Sequence, residues 1–191
     1  MKKIIALMLA ALTLLSFSGC GKKELNYAKS PEVVETERGV WDGNTYRGGF
    51  TDISFSLPDG WEILSDDEIK EISGDTDGIT YDMMCQKSST GSVVTVLFEE
   101  LLKTSATNKI TEEEYVKTVA DNLYNMGFSV SEPDERPIGK NTYTYVSAYG
   151  EGGGMTVNQY SLVRKEKGYM ISVIVTASNG DDAEEILKRF S

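Results

Sequence analysis

The side chains in this chain best suited to chemistry are acids. Asp75-Thr76-Asp77-Gly78, with Asp82 close behind, gathers carboxylates the way a hard cation such as calcium requires, several oxygens from one short loop. The later bidentate Glu of a calcium loop is missing, and a turn between a helix and a strand belongs at this place in any case. Asp75, Asp77 and Asp82 are therefore candidate ligands only, and the chain is expected to work without a metal or cofactor. Gly150-Glu151-Gly152-Gly153-Gly154 has the composition of a phosphate cradle, but a cradle opens a helix, and the residues that follow have the pattern of a strand. With no histidine anywhere, His-based triads, His–Cys dyads and most zinc sites are excluded. Paired carboxylates remain the one catalytic device open to the composition. Glycoside hydrolysis would need two of them at a fixed separation across a cleft, and nothing in the sequence favours one pair over another. Tyr143, Tyr145, Tyr149, Tyr160 and Tyr169 offer ring surface that either packs beneath a helix or lines a groove.

The formal charge is −11 over 191 residues. Nucleic-acid binding needs clusters of Lys and Arg that this chain lacks, so a nucleic-acid partner is not expected. The same charge disfavours broad contact between the folded surface and anionic lipid.

The elements that must hold these residues follow from period and punctuation. Ile53, Phe55 and Leu57 alternate as a half-buried strand, Pro58-Asp59-Gly60 turns the chain, and Trp61-Glu62-Ile63 resumes extended structure. Ser65 and Glu68 form a capping box, Leu64 and Ile69 a hydrophobic staple, and Gly74 closes a helix of about two turns with Ile69 and Ile72 inward. A hairpin follows, with Ile79, Tyr81, Met83 and Cys85 on one face of its first strand. Cys85 is thereby a small core residue rather than a reactive thiol. The return strand, Val93 to Phe98, is apolar on both faces, which predicts cover above and below one sheet. Thr111 and Glu114 repeat the capping box with an Ile110–Tyr115 staple. The helix they start carries Tyr115, Val116, Val119, Ala120, Leu123 and Met126 as its inner stripe and ends at Gly127. Phe128 to Ser131 is a short strand, Pro133 and Pro137 flank a turn, and Thr142–Tyr149, Met155–Arg164 and Tyr169–Ala177 are further strands. A last helix sets Ala183, Ile186, Leu187 and Phe190 on one stripe. Hairpin-length connections make the sheet mainly antiparallel, so the class is α+β.

The first residues have their own logic. Lys2 and Lys3, the apolar run Ile4 to Leu15, and small residues after it have the form of a secretory signal peptide, and the run is too short to span a bilayer core of about 30 Å. Phe17-Ser18-Gly19-Cys20 resembles the lipobox of bacterial lipoproteins, with Phe17 where Leu is usual. The resemblance implies that residues 1–19 are removed and that Cys20 becomes the lipidated N-terminus, which leaves Cys85 without a partner for an intrachain disulfide. Stable anchoring requires about two acyl chains. Gly21 to Asn44 shows no sustained apolar period, so residues 20–44 are expected to be a lipidated tether and 45–191 a single domain.

The spacing from Phe55-Ser56-Leu57-Pro58-Asp59-Gly60-Trp61 into a capped helix, with a long helix, a meander and a terminal helix ending in Phe190, resembles PsbP/Mog1-like domains. That resemblance implies a central antiparallel sheet flanked by helices on both faces, and a binding or accessory role without shared catalytic residues. The expectation is an exported, lipid-anchored, non-catalytic domain at the outer face of a bacterial cell membrane, with a protein or small-molecule partner. The rival is a surface hydrolase that uses carboxylates, which two facing acids at the base of a cleft would favour.

Overall fold

The apolar run Val93 to Phe98 needs cover on both faces, and in the computed structural model of the chain it has it. The structure describes residues 36–74, 76–101, 109–152 and 155–191. The expected signal peptide, Cys20, Asp75, Gly153 and Gly154 lie outside these residues, as does most of the expected tether. Strand β6 (Ser92–Glu100) sits inside an antiparallel sheet, between β5 (Ile79–Lys87) and β11 (Tyr169–Ala177). Beyond β5 lies the short β4 (Glu62–Ile63). Beyond β11 come β10 (Met155–Glu166) and β9 (Asn141–Gly152), and β7 (Ser129–Val130) and β8 (Asp134–Ile138) share the outer edge of β9. The β10–β11 hairpin is closed by Lys167 and Gly168 at φ +45° and +86°, the positive pair that a two-residue turn needs to match strand twist. A separate sheet of β1 (Val40–Asp42), β2 (Thr45–Arg47) and β3 (Ser54–Ser56) completes the strands among the described residues.

Helix α1 (Asp66–Ser73) and helix α2 (Glu112–Asn125) start at the expected capping boxes, Ser65 with Glu68 and Thr111 with Glu114. Both lie on one face of the main sheet. Leu64 and Ile69 pack with Met84, Val93, Leu97 and Ile174, and Tyr115, Val116, Val119 and Leu123 pack with Val146, Val163 and Met170. Helix α3 (Gly180–Leu187), capped by Asn179, covers the other face together with the three-stranded sheet. There Ala183, Ile186, Leu187 and Phe190 join Tyr46, Ile53 and Phe55 over Val94, Val96, Phe98, Ile171, Val173 and Val175. The class is thus α+β, an antiparallel sheet with helices on both faces. The residues after α3 return to β3: Ser54 and Ser191 exchange backbone hydrogen bonds of 2.8 and 2.9 Å, and the Phe55 and Phe190 rings meet at 4.6 Å. Gly139, at φ +56°, admits the Ser191 backbone, which a Cβ there would approach to 2.6 Å.

Four expectations need correcting. The folded part begins before Thr45: Phe50 N–H donates to Glu37 O at 2.8 Å and β1 pairs with β2, so residues 37–44 belong to the domain and not to a tether. Pro133 and Pro137 do not bracket a turn. Asp134–Ile138 is a strand on β9, where an edge position tolerates a Pro with no N–H to donate. Met126 is 39% exposed, because α2 ends one residue before it. Finally, Ile79, Tyr81, Met83 and Cys85 do not share a face. The register slips between Tyr81 and Met83, so Ile79 and Tyr81 pack toward α1 while Met83 and Cys85 join the opposite core.

The extra residue at that slip is Asp82. A bulge leaves one residue unpaired and re-aims its side chain, and here it turns a carboxylate into the interior, 4% exposed. Asp82 Oδ1 accepts the Gly39 N–H at 2.7 Å, and Oδ2 accepts the Tyr46 hydroxyl and, at 3.5 Å, that of Thr51. Arg38 forks onto Asp66 at 2.9 Å and donates to the carbonyls of Tyr81 and Asp82. One acid thus ties three places in the N-terminal segment to the main sheet. Replacing Asp82 with Ala should destabilise the domain by about 2–4 kcal/mol, because the Tyr46 hydroxyl and Gly39 N–H lose their buried acceptor. Asp82→Asn, which keeps an acceptor, should cost less. Urea denaturation of the two variants measures the order; equal midpoints for Asp82→Ala and the unmodified protein would refute it.

Candidate functional site

One concavity opens where three elements meet; a roomier one, of about 400 Å³, lies between α2 and β8 and is lined by Glu113, Glu132, Asp134 and Glu135 among others. To the first, the Pro58–Trp61 turn contributes Pro58 and Trp61, the β5–β6 hairpin Lys87, Thr90 and Ser92, and α3 with the residue after its cap Asp182, Glu185, Ile186 and Arg189. Each wall is fixed locally. Gly60, at φ +77°, lets the Trp61 N–H return to Pro58 O at 3.3 Å, which presents the indole at the rim. Thr90 and Gly91 N–H both return to Lys87 O, and Thr90 Oγ1 meets Ser92 Oγ at 2.9 Å. Ser56 N–H donates to Arg189 O at 3.1 Å, which pins the end of α3 to the small sheet. The recess is half open, with a volume of about 120 Å³, well below the roughly 300–1,000 Å³ of pockets that take a drug-sized ligand. It has room for one side chain.

Its charged groups are unequally engaged. Asp182 accepts from Asn179 Nδ2 at 2.8 Å within the α3 cap, and Glu185 is paired with Lys188 at 2.6 Å. The side chains of Lys87, half-buried, and Arg189, exposed, have no hydrogen-bond or ion-pair partner among the described residues. Sequence reasoning assigned Trp61 to extended structure and to the Phe55–Trp61 motif, and gave neither it nor Lys87 or Arg189 a binding role. The turn ending in Trp was a local signal for the indole, but the two cations are 102 positions apart and only the packing of α3 against the hairpin unites them.

The sequence candidates are dispersed. Asp77 is exposed in the turn before β5 while Asp82 is buried in the opposite core, and among the described residues no group of three or more His, Cys, Asp or Glu is placed to hold a metal. Cys85 is buried, and burial pushes its thiol up to about 12, which keeps it a core residue. Gly150 lies within β9 and makes room for the Phe128 ring, 2.7 Å from where its Cβ would stand. The tyrosines form no groove. Tyr143 is buried beside Arg164, Tyr145 and Tyr160 stack at 6.1 Å next to the Arg136–Glu184 pair that joins β8 to α3, and Tyr169 packs edge-on against Phe50 and Phe98. Tyr149 is 55% exposed at the end of the row.

No protein-family model and no curated sequence matches this chain. Solved structures of similar fold include cyanobacterial PsbP from Synechocystis sp. PCC 6803, at 14% identity and a TM-score of 0.49 over 77% of this chain and 90% of that one. Another is LpqN of Mycobacterium tuberculosis, a protein involved in cell envelope biogenesis, at 15% identity and 0.48 over 73% and 82%. A third is the Ran-binding protein Mog1p of Saccharomyces cerevisiae, at 10% and 0.41 over 73% and 89%. The likeness is one of fold.

One acid is shifted by its burial. Burial holds the Glu99 carboxyl above the usual carboxylate range, while the Tyr115 hydroxyl, which donates to Oε2 at 2.7 Å, pulls the other way. Glu99 sits under α2, away from the notch. A raised carboxyl binds its proton more tightly in the folded than in the unfolded chain, so its contribution to stability is full in acid and is lost as pH rises through the folded value. Glu99→Gln should therefore stabilise the domain at pH 7 and flatten stability against pH from about 4.5 upward. Thermal melts of both proteins between pH 4 and pH 8 check this; parallel curves would rule it out.

Proposed function

We propose that this chain is an exported accessory domain without catalysis of its own, held at the outer face of a bacterial membrane by lipid on Cys20 and engaging a protein partner through the Trp61 notch. The observation that carries the reading is the notch itself, a half-open recess of about one side chain's volume at the junction of three elements. Hot spots of protein interfaces are recesses of this kind, with an aromatic or Arg at the centre and a polar rim. The carboxylates at the notch do not suit hydrolysis. Asp182 and Glu185 stand three positions apart on one helix, on the same wall, whereas glycoside cleavage needs acids facing each other across the scissile bond.

The anchor rests on the sequence. Met1 to Cys20 has the form of a lipoprotein signal, no helix of the described residues is long and apolar enough to cross a membrane, and the acidic surface gives anionic lipid nothing to attract. Replacing Cys20 with Ala should move the protein from the membrane to the soluble fraction and abolish the mass added by lipid, with the melting temperature of the domain unchanged. Fractionation and intact-mass measurement decide it; a Cys20→Ala protein that stays in the membrane fraction would refute the anchor.

A further inference from the structure

The central strands present two different faces. Toward α3 they show Val96, Leu162, Ile171, Val173 and Val175, all apolar. Toward α1 and α2 the same strands bury Thr95, Gln159, Ser161, Ser172 and Thr176, each at most 3% exposed. The register gathers these around one residue. Thr95 and Ser161 stand opposite Ile174 on its two neighbouring strands, and Ser172 and Thr176 lie two places before and after it on β11. Ser172 thus falls between Met170, which packs under α2, and Ile174, which packs with α1. Hydroxyls buried this deeply are tolerated where each is hydrogen-bonded. Gln159 Nε2 donates to Ser161 Oγ at 3.0 Å, but Ser172 Oγ has no hydrogen-bond partner among the described residues, and Ser172 lines a cavity of about 10 Å³.

We propose that this cavity binds one ordered water, which joins Ser161 and Ser172 and helps to seat α2 on the sheet. Tyr115 and Val119 of α2 close it on one side, and Gln159, Ser161, Ser172 and Ile174 form the wall on the sheet. A buried water needs about 10–15 Å³ of space for its centre and two to four polar partners. The size is met, and so is the hydrogen-bond count. Ser161 Oγ accepts from Gln159, so its own proton needs an acceptor, and the Ser172 proton needs one as well. The water oxygen takes both. One of its protons then goes to the Tyr115 oxygen, whose own proton is given to Glu99 Oε2 at 2.7 Å. The groups lining the cavity are hydroxyls, an amide and apolar side chains, and the space holds a single oxygen atom. The occupant is therefore water rather than an ion or an organic ligand.

A crystal structure of the protein at a resolution that shows ordered solvent should place a density peak in the cavity, at about 2.5–3.0 Å from both Ser161 Oγ and Ser172 Oγ. The variant Ser172→Ala gives an independent reading, because it removes the hydroxyl and leaves the space. With the water bound, it deletes one of three hydrogen bonds and should lower the melting temperature by about 2–4 °C, the peak remaining on Ser161 and Tyr115. With a dry cavity, the same change removes a buried hydroxyl that has no partner and should leave the melting temperature equal or raise it. A peak in the unmodified protein together with lower melting of Ser172→Ala supports the site. No peak between the two serines, or a Ser172→Ala protein that melts at or above the unmodified one, would overturn it.

Discussion

The arrangement depends on a buried carboxylate at a strand bulge. Asp82 stands where β5 has one residue more than β6, and that extra residue turns inward instead of lying on a face. A lone charge in that position would be costly. It is tolerable because the Gly39 N–H and the Tyr46 hydroxyl donate to it, and both donors come from the segment before β3. The dependence runs both ways: Tyr46, fully buried, would otherwise bury an unpaired hydroxyl. Burial, together with the neighbouring Asp82 charge, pushes the Tyr46 phenol far above its ordinary value, so it stays a donor at any physiological pH. The small sheet cannot slide without breaking this contact, and the small sheet is what holds the end of α3.

From there the geometry propagates by packing. The phase change at Asp82 sends Met83 and Cys85 to the face where Tyr46, Phe55 and α3 lie, and leaves Met84 to meet Ile69 of α1 on the other. The central partner of β6 is β11, which arrives from the far end of the chain, so the core on both faces closes only when the whole domain is assembled. The backbone exchange between Ser54 and Ser191 and the Phe55–Phe190 contact then fix Arg189 beside the β5–β6 hairpin. The notch is a consequence of those two joints rather than of any local motif.

This separates what the sequence discloses from what it hides. Capping boxes, staples and helical stripes are local, with every participant within a turn or two, so α1 and α2 were legible to the residue at their N-termini. Two-sided burial of β6 was equally legible, because a continuous apolar run has few other uses. Asp82 was visible as an acid but read as a surface ligand. The period-two pattern of β5 carries no mark of a bulge, and the donors that satisfy the carboxylate lie more than 30 positions upstream. The same blindness placed the domain boundary at Thr45: Arg38 and Gly39 look like tether until their partners on β5 are known. Of the candidate site only Trp61 had a local sign, the Gly60 turn before it.

The position of Arg38 has a bearing on how the domain would sit at a membrane. The chain enters the fold beside Tyr81 and Asp82, near the start of β5, and the notch lies at Lys87, where β5 ends. At about 3.3 Å per residue the five positions between Asp82 and Lys87 separate the two by roughly 17 Å along the strand. Tension from an anchored N-terminus would fall on the Arg38–Asp66 fork and the Asp82 contacts, at one end of β5, and leave the notch at the other end free to meet a partner. A lipid on Cys20 would retain the domain through the tether, with the pull taken up at the end of β5 away from Lys87.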